Sequence, residues 1–124
     1  MRTILTAALL LLTATPALAE ADWVHVGTGT DETQKDYIDR SSIRVTGQIR
    51  RYWVRRDLVN NPDGWKQTVA LIENNCASGQ WRQIQLTVYY VDGKVSTSKA
   101  PDQSWDYVVP GSVGRIEHDY VCRK

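Results

Sequence analysis

The sequence predicts a small β-rich domain, closed by one disulfide, whose C-terminal segment packs on a sheet. Apolar and polar residues alternate along Ile49–Val59 and along Trp81–Val91, the two-residue period of strands with one face in a core. Asp92-Gly93 follows the second of these strands and predicts a two-residue type I′ hairpin turn. Two cysteines, Cys76 and Cys122, supply one bridge if the chain is exported.

The segment Met1–Ala19 has the pattern of a signal peptide. Arg2 places a positive charge before an apolar run from Ile4 to Leu12, and small residues precede Glu20. We therefore expect cleavage before Glu20 and a single domain over 20–124 that is periplasmic or secreted. The apolar run is shorter than the roughly 20 residues that span a bilayer, and no cysteine near the cleavage point could carry a lipid. We expect neither a membrane span nor a lipid anchor.

The charge balance bears on the class of partner. The chain has 15 basic and 14 acidic residues, and removal of the leader takes away one basic residue, Arg2. A charge near zero argues against bulk attraction to nucleic acid or to anionic lipid, which needs a basic excess. We expect no nucleic-acid partner.

The two cysteines admit two interpretations. A Cys76–Cys122 bridge is the simplest, and it would close much of the C-terminal half into one loop. The alternative is a metal site that uses His118 and Cys122, which are four residues apart. Because the chain has no CxxC pair and no second clustered histidine, we expect the bridge and no bound metal.

Strands account for most of the predicted domain, and Trp23 is the expected core anchor of the first. The predicted strands are Trp23–Val26, Tyr37–Asp39, Ile49–Val59, Trp65–Cys76, Trp81–Val91 and a polar edge strand, Lys94–Lys99. In the fifth strand, alternation predicts one face of Ile84, Leu86, Val88 and Tyr90 and an opposite face of Gln83, Gln85 and Thr87.

The C-terminal segment is predicted to be a helix that begins after Ser112, a favourable N-cap. Its apolar stripe is Val113, Ile116 and Tyr120, with Val121 beside it. Cys122 falls off this stripe, so the last turn is expected to unwind for the disulfide to form. The alternative is a strand with Ile116, His118, Tyr120 and Cys122 on one face.

Arginines and aromatic residues interleave along Ile49–Val59. Arg51 and Arg55 share one face with Trp53, and Arg56 shares the other with Tyr52. Such a surface could bind carboxylate, sulfate or glycan by bidentate pairing and cation–π contact. The structural alternative is a solvated strand whose arginines pair with cross-strand carboxylates. The candidate binding residues are Arg51, Tyr52, Trp53, Arg55 and Arg56, and the pattern leaves open which face is buried.

The sequence predicts no catalytic residue and no cofactor. The two histidines, His25 and His118, lie in no nucleophile or metal motif, and signatures such as GxSxG, HExxH and the P-loop are absent. Asp39 could be a general base, but its position before Ser41 favours a strand-end carboxylate that accepts backbone N–H groups in an Asx-type turn. We expect a protein that is not an enzyme.

Taken in order, these residues resemble the surface-adhesin protein E domain of Gram-negative bacteria. The residues that carry the resemblance are Trp23, Tyr37-Ile38-Asp39, Ser41-Ser42-Ile43, Trp53, Cys76, Trp105, Pro110-Gly111-Ser112 and Cys122. The resemblance implies an α+β fold with a six-stranded antiparallel sheet and a C-terminal helix packed on it, tied to the sheet by the Cys76–Cys122 bridge.

The resemblance also implies an exported, non-catalytic binding domain with a protein partner. Better-studied members are similar to lipid-anchored surface proteins that bind host extracellular-matrix and plasma proteins, whereas this sequence lacks the lipidation cysteine. The partner is therefore expected to be a host or envelope macromolecule. The alternative is a periplasmic protein that binds a small ligand such as haem, or one that inhibits an envelope enzyme.

Overall fold

A computed structural model of the chain describes residues 20–29, 31–100 and 103–123, so the predicted signal peptide lies outside the described residues. Within these ranges, eight antiparallel strands form one sheet, and one α-helix follows them. The strands are β1 Trp23–Thr28, β2 Gln34–Asp39, β3 Arg44–Thr46, β4 Ile49–Leu58, β5 Trp65–Asn75, β6 Gln80–Tyr90, β7 Val95–Lys99 and β8 Asp106–Tyr107; the helix α1 is Val113–Val121. The predicted α+β class is confirmed.

The main sheet has six strands among the described residues, the number that the resemblance implied, and their order is β1-β2-β4-β5-β6-β7. The two short strands extend this frame: β3 pairs with the first residues of β4, and β8 pairs with the first residues of β6. The sequence prediction missed both, because three-residue and two-residue strands are too short for periodicity to reveal. Consecutive strands pair in antiparallel fashion across most of the sheet, so the topology is close to a meander.

One side of the sheet, here called the covered face, packs against α1. Its core consists of Ile38, Tyr52, Val54, Ala70, Ile72 and, from the helix, Val121. Tyr52 and Val54 are both buried, which settles the orientation of β4 and places Trp53 on the opposite side. We call that opposite side, which carries Tyr37, Trp53 and Arg55, the open face.

Trp23 does not belong to the core, so its prediction as a core anchor was wrong. In β1, Val26 packs against the core, while Trp23 lies half-buried on the open face beside Arg55. The choice between the two faces of this short strand depends on its pairing with β2, where Val24 lies opposite the core residue Ile38.

The helix forms as predicted, and Val121 and Tyr120 of the predicted stripe pack on the core, but the most buried stripe includes two polar residues that were not predicted. The Ser112 hydroxyl accepts a hydrogen bond from the Arg115 N–H at 3.2 Å, and Ile116 is 45% exposed. The buried residues are Glu117, His118 and Val121, a stripe that continues to Cys122. The expected unwinding is therefore absent, because the half-buried Cys122 lies on the true stripe and its N–H still donates to His118 O.

A disulfide bond connects the helix to the sheet. Cys76, at the end of β5, and Cys122, which caps α1, form the predicted disulfide with their Cα atoms 5.5 Å apart. The metal alternative for His118 and Cys122 is excluded by this pairing. Among the described residues, no helix is long and apolar enough to cross a membrane.

Two irregularities change details that alternation had predicted. The β5–β6 register shifts between Leu71 and Ile72, and this shift brings Gln83 to the same cavity as Leu86, not to the opposite face. The hairpin after β6 also differs from a two-residue turn. Tyr90 N–H donates to Lys94 O, so the loop has three residues, and only Gly93 has a positive φ.

Candidate functional site

The sheet divides the five predicted binding residues between its two faces. Arg51, Trp53 and Arg55 lie on the open face, whereas Tyr52 and Arg56 lie on the covered face. Tyr52 has no exposed surface and belongs to the core. The five residues therefore do not form one surface, and the open face needs residues from other strands.

Arg55 lies between two aromatic rings on the open face. Its guanidinium carbon is 4.3 Å from the centroid of Tyr37, its neighbour on β2, and 5.1 Å from that of Trp23 on β1. The His25 ring packs against Tyr37 at 5.3 Å, and Asp57 pairs with Arg55 at 3.2 Å. Stacking on the ring faces holds the guanidinium in one plane, since each contact is a cation–π interaction.

A second group of side chains, with Arg51 and Arg82 at its centre, lies on the same face. We call this group and the one around Arg55 the two arginine rows. Glu73 accepts from Arg51 at 3.3 Å on one side and pairs with Arg82 at 2.7 Å on the other. The Arg82 guanidinium lies 4.4 Å from the centroid of Trp105, in the segment before β8. One buried carboxylate thus positions two guanidinium groups. Glu73 is the kind of cross-strand partner that the structural alternative expected for Arg51, whereas Arg55 pairs with Asp57 of its own strand.

The sequence interpretation missed four residues of this surface: Trp23, Tyr37, Arg82 and Trp105. Strand pairing brings Trp23 and Tyr37 to Arg55, and the β5–β6 pairing brings Arg82 to Glu73. Alternation within one strand gives each residue a face, but the neighbouring strand and its register come from the whole sheet. Only Trp105 lies outside the paired strands, and no pattern in the sequence marked it as a partner of Arg82.

Arg56 is held in a buried cluster on the covered face. It donates to Asp36 at 3.1 Å and to Glu117 of the helix at 3.4 Å. Burial, assisted by the neighbouring Asp36 carboxyl, raises the pKa of Glu117 to about 8. Near pH 7 the cluster therefore contains a neutral Glu117 beside the Arg56–Asp36 ion pair, with no net charge.

A second polar group connects the helix to the sheet. Asn74 on β5 donates to the Tyr52 hydroxyl, and His118 donates from Nδ1 to the Asn74 side-chain oxygen at 2.9 Å. Burial lowers the pKa of His118, and nearby Arg115 lowers it further. A neutral His118 with its proton on Nδ1 therefore serves a structural hydrogen bond.

The residues weighed for chemistry have structural partners. Asp39 accepts from the Ser41 N–H at 3.1 Å, as the Asx-type turn predicted, and from the Asp22 N–H at 2.9 Å. Burial acts to raise the pKa of Asp39, but these hydrogen bonds outweigh it and leave the pKa lowered. The exposed His25 lies 2.9 Å from the Thr28 hydroxyl. Within the described ranges, no three histidine, cysteine or acidic side chains are placed to hold a metal ion.

Comparisons with known proteins agree with this architecture. The profile of the family described as surface-adhesin protein E matches residues 23–123. A search among curated protein sequences found no match.

Several solved structures share the fold, all of protein E from Haemophilus influenzae. Crystal form II is 17% identical to this chain, with a TM-score of 0.56 over 88% of this chain and 93% of that one. The structure from a non-typeable strain is also 17% identical, with a TM-score of 0.56 over 88% and 80% of the two chains. The selenomethionine form is 16% identical, with a TM-score of 0.56 and coverage of 88% and 92%. At this identity the likeness is one of fold.

Proposed function

Because the chain belongs to the surface-adhesin protein E family, we propose that it is an exported, non-catalytic domain that binds a host or envelope protein through its open face. The observation that carries this proposal is the pair of arginine rows on that face. Trp23 and Tyr37 stack on Arg55, and Trp105 stacks on Arg82. Arginine and large aromatic residues are the types enriched at the energetic centres of protein interfaces.

The geometry of these rows favours recognition of an acidic protein surface. Arg51, Arg55 and Arg82 carry three positive charges, while Glu73 and Asp57 supply two negative ones. The guanidinium planes are already fixed by stacking or by the shared carboxylate, so little side-chain entropy remains to be lost on binding. A partner carboxylate could therefore pair with the exposed edge of Arg51 without rearrangement of the sheet.

A panel of matrix proteins, plasma proteins and envelope extracts tests this proposal. The informative variant is Arg51→Glu, because Arg51 is 50% exposed and Glu73 keeps Arg82 when Arg51 is lost. Arg115→Glu is the matched control, since the Arg115 side chain is 49% exposed but lies on the helix. We expect saturable binding at micromolar concentration that Arg51→Glu weakens by about tenfold or more and that added salt weakens further.

Two results would count against the open face. One is the absence of any saturable partner in the panel. The other is an equal loss of binding in Arg51→Glu and Arg115→Glu, which would indicate a general charge effect.

We further propose that Met1–Ala19 directs export and is removed before Glu20, which leaves the protein in the periplasm or the medium. Its residue pattern supports this proposal. The intact mass of the protein recovered from each cell fraction tests it, and the expected mass is that of 20–124 with two hydrogens fewer for the disulfide. A protein that retains Met1–Ala19 in the cytoplasm would overturn it.

A further inference from the structure

A cavity on the covered face, separate from the arginine rows, has the features of a small-ligand site. Its volume is about 270 Å³, somewhat below the ~300–1,000 Å³ typical of pockets for drug-sized ligands. The polar and aromatic residues that line it are Gln34, Arg56, Asn61, Trp65, Thr68 and Gln83. We propose that this cavity binds one neutral sugar ring.

Three carboxamide side chains in the cavity have hydrogen-bonding capacity left over. Gln34 donates its Nε2 to Asp36, so its Oε1 remains an acceptor. Asn61 accepts from the N–H groups of Asp63 and Trp65 with its Oδ1, so its Nδ2 remains a donor. Gln83 makes no side-chain hydrogen bond to any residue that the structure describes. Such paired donors and acceptors match sugar hydroxyl groups, which both donate and accept.

The charge of the cavity wall favours a neutral ligand over an ion. Of the described residues that line the cavity, Arg56 alone is charged, and its charge is balanced by Asp36 at 3.1 Å. The third member of the cluster, Glu117, is neutral near pH 7 because burial keeps its proton on. Arg56 donates from Nε and Nη2 within the cluster, and its Nη1, which has no hydrogen-bond partner among the described residues, can donate to a hydroxyl oxygen.

Trp65 supplies the apolar wall that a sugar ring needs. The β5–β6 register shifts between Trp65 and Gln67, and this irregularity lets Trp65 line the same cavity as Thr68 on the covered face. A second bulge, between Leu71 and Ile72, brings Gln83 to the cavity. Two separate bulges thus assemble an aromatic plane and an amide around a space of about one ring, and bulges often re-aim side chains at functional sites.

The experiment is a titration of the exported protein, labelled with ¹⁵N, in which the indole N–H signals of its five tryptophans are followed. The neutral probes are N-acetylglucosamine, glucose and methyl glycosides of glucose and galactose. Glucuronate and glucosamine are the charged counterparts. Methyl glycosides carry the capped anomeric oxygen of a glycan, so tighter binding of them than of free glucose would identify the end of a glycan chain as the ligand.

We expect a neutral sugar to move the Trp65 signal saturably and to leave the Trp53 signal in place. Gln83→Leu should weaken this binding by about fivefold, the effect of losing one hydrogen bond. Gln85→Leu is the control, because Gln85 lies two residues further along β6 and outside the cavity lining. It should leave the affinity unchanged.

Three outcomes would overturn the proposal. The first is the absence of a Trp65 shift with any neutral sugar up to about 50 mM, a concentration at which a ligand of millimolar Kd saturates. The second is tighter binding of glucuronate or glucosamine than of the neutral sugars. The third is an equal loss of sugar affinity in Gln83→Leu and Gln85→Leu. None of these depends on whether the open face binds a protein, because Arg51 and Trp53 lie on the other side of the sheet.

Discussion

Arginines lie on both faces of the sheet, in opposite environments. On the open face, the Arg51 side chain pairs with Glu73 and is 50% exposed. On the covered face, the Arg56 side chain is 27% exposed and pairs with Asp36, which has no exposed surface, and with the buried helix residue Glu117. The same residue type, in one strand and within five positions, is thus half-exposed on one side and bonded to two buried carboxyl groups on the other. The helix makes this difference, because it removes water from one face only.

Loss of the disulfide, which holds the helix on the covered face, should lower the free energy of unfolding more than any other change considered. Cys76 and Cys122 are separated by 46 positions, and closure of a loop of that length stabilises a domain by about 4 kcal/mol in the chain-entropy model. We expect Cys76→Ser to lower the free energy of unfolding by about that amount, as measured by urea denaturation. Cys122→Ser should have the same effect, since either variant opens the same loop. Unchanged denaturation midpoints would show that the bridge does not hold α1 on the covered face.

Replacement of an arginine should lower the free energy of unfolding more on the covered face than on the open face. Arg56→Met leaves Asp36 buried without its cation, and we expect a loss of about 3 kcal/mol in the free energy of unfolding. Arg51→Met should cost less than about 1 kcal/mol, because Arg51 is half-exposed and Glu73 retains Arg82. Equal losses from the two variants, measured side by side, would contradict the proposed difference between the faces.

Ionisation of Glu117 should lower the free energy of unfolding by a smaller amount, which depends on pH. The folded state raises its pKa from 4.5 to about 8, so the folded protein holds a proton that the unfolded chain releases above pH 4.5. Stability from this group is therefore full below pH 4.5 and falls as the pH rises to 8. We expect a decline on the order of 2 kcal/mol between pH 5 and pH 7.5.

Glu117→Gln provides the control for this decline. The amide keeps the shape of the neutral acid and cannot ionise, so its unfolding free energy should lack the fall from pH 5 to pH 7.5. A wild-type protein whose stability rises over that interval would show that Glu117 is ionised in the folded state, with Arg56 as its counter-ion.

The sequence contained enough information for the strand layout and the disulfide, and less for the helix and the site. Alternation along β4 and β6 identified these strands to within one or two residues, and the bounds predicted for β5 were equally close. The helix stripe was predicted only in part, because two of its three buried residues, Glu117 and His118, are polar. They are buried where Arg56 and Asn74 on the sheet form hydrogen bonds with them. A hydrophobicity pattern assigns such residues to water.

The site could be predicted only in part for the same kind of reason. Both faces of β4 carry an aromatic residue, Tyr52 or Trp53, so composition does not distinguish core from surface. The bulges that bring Trp65 and Gln83 into one cavity are single-residue insertions in the pairing, and they leave no mark in the sequence of either strand. Tertiary pairing thus decides what local alternation leaves open.

The five indole N–H signals give the most direct test of the division between the two faces. Trp23 and Trp53 lie on the open face, and Trp105 stacks on its Arg82, whereas Trp65 and Trp81 lie on the covered face. In a titration with the tightest protein partner from the panel, we predict shifts of Trp23, Trp53 and Trp105 and none of Trp65 or Trp81. Shifts of Trp65 and Trp81 with the other three unchanged would show that the protein partner binds the covered face, which would contradict the proposed function.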